Sequence, residues 1–168
     1  MSFKDAIKTC FSKYFTFSGR AARPEYWYFF LFIFVGTFVT TAMDNAVFGV
    51  ENVRTTSNSL HVSSGNGPFS AIFLLATIVP ILSAGWRRMH DTGRSGLYLL
   101  YPIIAMIGLL TFMSLFGVSG KVEGLLAIVF VPAAIIVILS PLIVIWWLSR
   151  PTQLALNTYG PNPYEVSP

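Results

Sequence analysis

Four long stretches of the chain carry no charged side chain, and short polar segments separate them. They cover residues 26–43, 69–85, 97–116 and 125–148. None contains Asp, Glu, Lys, Arg or His. A spanning helix needs roughly 20 mostly apolar residues, and lipid offers no partner for an unpaired backbone group. The pattern therefore predicts four transmembrane helices, the last long enough to tilt. Pro68 and Pro102 fall near predicted helix starts, where a missing N–H costs little. Pro80, Pro132 and Pro141 fall deeper and predict kinks, which membrane helices tolerate.

The first residues follow a different rhythm. Phe3, Ala6, Ile7, Cys10, Phe11, Tyr14 and Phe15 recur at spacings of three and four or are adjacent on one stripe, while Lys4, Asp5 and Lys8 fall off it. This is the periodicity of a short amphipathic helix. Beside a membrane span, such a helix is expected to lie in the interface, apolar face down. The alternative is a helix packed under the bundle. Some 25 residues precede the first long span. A cleaved secretory signal has a shorter apolar core of roughly 7–15 residues, so cleavage is not expected. The predicted fold is an all-α membrane protein, a single domain over 1–168, with four spans, an N-terminal interfacial helix and a short tail at 149–168.

Composition agrees: 54% of the 168 residues are hydrophobic and 11% charged, against about 25% charged in soluble domains. The net charge of +4 is carried in short segments beside apolar runs. That distribution speaks of membrane topology, not nucleic acid. Cys10 is the single cysteine, which excludes an internal disulfide. Lysine and arginine divide unevenly. Lys4, Lys8, Lys13, Arg20, Arg23, Arg87, Arg88, Arg94 and Arg150 fall on one side, nine in all, against Arg54 and Lys121 on the other. Both termini are therefore expected in the cytoplasm. The Ser/Asn/Gly-rich segment 51–67 reads as a solvated outer loop with a weak hairpin pattern.

Three polar motifs fall on the cytoplasmic side of this scheme: "FSGRAARPEYW" (17–27), "WRRMHDTGRSG" (86–96) and "NTYGPNP" (157–163). Gly93 and Gly96 suit tight turns, and Ser95 could cap the third span. One helical turn separates Arg87 from Asp91, so the two could pair. Glu25, at the mouth of the first span, is within plausible reach of Arg88. The set reads either as a clasp of ion pairs or as an anion site. Arg20, Arg23, Arg87, Arg88 and Arg94 outnumber Glu25 and Asp91, and arginine's planar fork matches phosphate. Tyr159 and Asn162 would add neutral hydrogen bonds. His90 beside Asp91 suggests a base and its orienting carboxylate, but neighbours in a helix do not face each other. No carboxylate pair for magnesium and no nucleophile motif accompanies them. His61 falls across the membrane from His90 and Cys10, so no zinc site forms. Ion-coupled transport usually needs ionisable residues inside the spans; Asp44, at the outer end of the first, is the nearest candidate.

The three motifs, in this order, resemble the bacterial domain-of-unknown-function family 805, over nearly the whole chain. The resemblance implies the bacterial inner membrane and no particular substrate. "SRPTQLALN" stands here where such proteins often carry a Gly-Pro-rich turn after the fourth span. The expectation is a non-enzymatic inner-membrane protein that recognises an anionic lipid or a membrane partner through its arginine cluster. No cofactor, metal or nucleic acid is expected; a homo-oligomer is possible. The alternatives are a membrane enzyme acting on a phosphorylated lipid and a purely structural scaffold.

Overall fold

The structure, a computed structural model, describes residues 1–49, 53–56, 59–62, 67–115 and 124–165. Its elements run α1 (Phe3–Ser12), α2 (Arg23–Phe48), β1 (Val53–Thr56), β2 (Ser59–Val62), α3 (Pro68–Asp91), a 3₁₀ helix (Gly96–Leu100), α4 (Tyr101–Leu115) and α5 (Leu125–Ser149). Among the described residues, four helices are long and apolar enough to cross a membrane: Arg23–Phe48, Pro68–Asp91, Gly96–Leu115 and Ile128–Ser149. The protein is thus an all-α, four-span chain, as its apolar pattern predicts. Two helices run well past their apolar segments, α2 at both ends and α3 through Asp91. Helices continue into polar sequence wherever side chains satisfy the terminal backbone groups. The only described strands, β1 and β2, pair antiparallel from Val53↔Val62 to Thr56↔Ser59. The rest of the 51–66 loop, Lys121 and the last residue of the expected third span lie outside the described residues.

The chain forms two compact units. The first comprises Met1–Thr16 and Pro24–Ala84. Here α1 begins with a capping box: the Ser2 hydroxyl accepts from Asp5 N, and the Asp5 carboxylate accepts from Ser2 N. The Ser2 hydroxyl also holds the Asp5 carboxyl below its ordinary pKa. Ala6 and Cys10 of the predicted stripe are fully buried, while Lys4 and Lys8 are exposed. Part of this stripe meets α2, while Phe15 stays exposed. The Phe11 ring meets Phe29 edge-on at 5.4 Å, Phe3 meets Tyr28 at 6.1 Å, and Cys10 Sγ lies 3.7 Å from Glu25 O. The Ser83 hydroxyl of α3 donates to Lys13 O just beyond α1.

α2 also supplies the start of α3. Asp44 is 2% exposed and accepts hydrogen bonds from Phe69 N (2.9 Å), Ser70 N (2.8 Å) and the Ser70 hydroxyl. The first N–H groups of a helix have no partner within it, and its N-terminus favours negative charge. Asp44 meets both needs, so its place is that of a helix cap donated by the neighbouring span.

The second unit comprises Phe17–Arg23 and Gly85–Pro168. α4 packs on α5, with Phe112 and Phe130 rings 5.2 Å apart. The third span opens as a 3₁₀ helix capped by the Ser95 hydroxyl, and becomes α-helical at Tyr101, one residue before Pro102. Within α5, Pro141 cannot donate to the Val137 carbonyl. The buried Ser140 hydroxyl donates to that carbonyl instead, at 2.7 Å.

Candidate functional site

The second unit brings residues 17–23 of the first polar motif together with the other two motifs. α3 stops there because of Gly93, whose φ of 75° is a left-handed conformation that costs residues with a Cβ. Gly93 N donates to His90 O, and Arg94 N to Met89 O, which closes the helix end. Gly96 then passes so close to the Trp86 ring that no Cβ would fit. The turn 92–95 is therefore tight.

Asp91 is fully buried and is gripped by two arginines. Arg20 Nε donates to Asp91 Oδ1 at 2.9 Å, and Arg88 Nη1 donates to Oδ2. On its own helix Asp91 is held by Arg88, three residues earlier. Arg87 is itself 1% exposed. The two guanidiniums extend the grip to backbone carbonyls. Arg20 donates to Ala155 O (2.9 Å), Gly160 O (3.2 Å) and Gln153 O. Arg88 donates to Leu148 O (2.9 Å), Ala21 O (3.4 Å) and Arg150 O. Leu148 and Arg150 stand at the end of α5, where carbonyls lack partners within the helix and the dipole favours a cation. Arg88 therefore caps α5 from a distance, and Arg20 collects the tail. The stretch "SRPTQLALN", which departs from the expected turn, supplies three of these carbonyls, those of Arg150, Gln153 and Ala155.

The tail seals this core. The Asn157 side chain donates to His90 O at 3.0 Å, and the Tyr159 ring stacks on the His90 ring at 3.9 Å, within 6° of parallel. His90 Nδ1 lies 3.0 Å from Gly19 O; a carbonyl only accepts, so Nδ1 carries the proton. His90 is oriented by this carbonyl, not by Asp91. Asn162, 3% exposed, bonds Leu154 O, Glu165 and Tyr164 N. Asn162 thus serves the tail's own structure, and Tyr159 packs the tail against His90. Glu25, 3% exposed, belongs to the first unit, and Arg23 is exposed at the first turn of α2. Among the described residues, no three His, Cys, Asp or Glu side chains cluster so as to hold a metal ion.

Arg94 behaves differently from Arg20 and Arg88. It is half-buried, donates to Thr92 O at 3.2 Å, and lies over the Trp147 ring at 5.1 Å. Burial and the nearby positive charge of Arg150 both push its pKa down, yet an arginine keeps its charge. Arg150 lies over the Trp146 ring at 5.2 Å. Both line an open cleft of about 450 Å³ with Thr92, Gly93, Pro151, Thr152 and Gln153. Sequence reasoning counted Arg150 only as a topological charge. The signal was present: an arginine directly after a Trp-Trp pair at the end of a span marks an interfacial belt.

Four helices long and apolar enough to cross a membrane define a multi-pass membrane protein. The model of the family described as "Protein of unknown function (DUF805)" matches residues 14–161, and the chain belongs to that family. It is 38% identical over 113 residues to the inner membrane protein YhaI of Escherichia coli K12, covering 64% of this chain and 81% of that one. It is 33% identical over 95 residues to the inner membrane protein YhaH of the same strain, covering 56% of this chain and 69% of that one. These relatives and the four apolar helices make it a multi-pass protein of the inner membrane. No solved structure matches it.

Proposed function

We propose that the protein is a non-enzymatic component of the inner membrane that recognises anionic lipid through arginines at the ends of α3 and α5. Both termini face the cytoplasm in this reading, because nine of the eleven lysines and arginines then lie on that side. The observation that carries it is the division of labour among the arginines. Arg20 and Arg88 are consumed by Asp91 and six backbone carbonyls. Arg94 and Arg150 have no carboxylate partner among the described residues, and each rests on a tryptophan of the kind that sits at headgroup depth. The first pair makes a clasp, and the second carries the surplus charge to the surface. The α1 helix, with Lys4 and Lys8 exposed, would add a diffuse attraction of roughly 1 kcal/mol per lysine at an anionic surface.

The test is native mass spectrometry of the full chain released from nanodiscs holding equal phosphatidylglycerol and phosphatidylethanolamine. Retained lipid should be enriched in the anionic species. Equal retention of the two would remove the recognition reading and leave a structural scaffold.

A further inference from the structure

The arginine cleft has features of a built site, and from them we infer that it binds the phosphate of one phospholipid molecule, with an acyl chain lying along the start of α4. This rests on the lipid-recognition reading above and assigns it to a place. Three observations support it.

The first is uncompensated charge. The cleft walls carry Arg94 and Arg150 and no acidic residue. Two guanidiniums held near each other repel, and a phosphate between them turns that repulsion into charge-assisted hydrogen bonds. Beyond the Arg94 Nη1 bond to Thr92 O, neither guanidinium has a protein acceptor among the described residues. The second is the Thr152 hydroxyl. Its oxygen is buried and has no hydrogen-bond partner among the described residues, and Thr152 itself lines the same cleft. Buried polar atoms are rarely left in that state, and a ligand oxygen would relieve it. The third is what adjoins the cleft. Ser95, the residue after Arg94, begins an apolar groove of about 340 Å³ lined by Leu97, Tyr98, Tyr101 and Ile104. Trp147 links the two, with Arg94 over its ring and Tyr98 against it at 5.3 Å. A polar cradle for an anion followed by an apolar channel fits an amphiphile better than a free ion.

The experiment compares wild type, Arg94→Gln, Arg150→Gln, the double variant, Thr152→Val and Lys8→Gln in phosphatidylglycerol nanodiscs, reading bound lipid per chain by native mass spectrometry. Titration with inorganic phosphate and with glycerol 3-phosphate follows. Each arginine change should weaken retention of the single tightest lipid roughly ten- to a hundredfold. Thr152→Val should weaken it less, and Lys8→Gln should leave it in place. Neither soluble phosphate should displace the lipid. If either arginine variant melts below wild type, Arg94→Lys and Arg150→Lys replace it; they keep the charge, lose the fork, and should still weaken retention. Unchanged retention in the arginine variants overturns the assignment, while the wild-type preference for anionic lipid still stands or falls separately. Displacement by inorganic phosphate overturns the lipid as occupant.

Discussion

Asp91 shows how much one side chain can organise. It is one carboxylate facing two guanidiniums at 0% exposure, an arrangement with excess positive charge that desolvation alone would disfavour. The excess is tolerable because six carbonyl oxygens accept from the same two arginines. Removing Asp91 leaves both cations buried without a counter-charge. Asp91→Asn is expected to destabilise the protein by about 3–5 kcal/mol, read as a lower midpoint of denaturation in detergent. A midpoint equal to wild type would mean that the carbonyls alone hold Arg20 and Arg88. The helical pairing of Asp91 was legible from spacing, because residues three and four apart share a face. Spacing could not supply Arg20, which lies 71 positions away in sequence.

Among the described elements, α3 has both ends met by other parts of the chain. Its N-terminus is capped by Asp44 from α2. Its C-terminus is closed by Gly93 and covered by the tail residues Asn157 and Tyr159. A helix between two such ends is held in register without needing strong propensity of its own, which suits one interrupted by Pro80. Asp44 had stood out as an ionisable residue near a span, the kind that marks an ion path. Its three hydrogen bonds to Phe69 and Ser70 give it a structural task instead. Asp44→Ala should cost about 1–2 kcal/mol and speed amide exchange at Phe69 and Ser70. Unchanged exchange there would show that the cap contributes nothing.

For the whole molecule, the orientation proposal follows from where the lysines and arginines fall. In a Cys10→Ala background, single cysteines at Ser57 and Ser64 should react with an impermeant thiol reagent in cells whose outer membrane has been opened. A cysteine at Arg23, exposed at the start of α2, should react only after the inner membrane is permeabilised. The opposite pattern would reverse the orientation and move the arginine cleft to the outer leaflet.

The sequence by itself determined the number and type of the spanning elements, because a membrane helix must hide its backbone and show apolar side chains for some 20 residues. It also marked the turn at 92–96, through glycines that other residues replace only with strain or collision. Only the tertiary structure decided which arginines are spent on buried acceptors and which line the open cleft. Arg20 and Arg94 look alike in sequence, each after a hydroxyl residue and a glycine, Ser18-Gly19 and Thr92-Gly93. What separates them is the set of acceptors in reach: a buried carboxylate and the open carbonyls of the tail for Arg20, a tryptophan face and an open cleft for Arg94. Those acceptors come from segments distant in the chain, so no local pattern carries them.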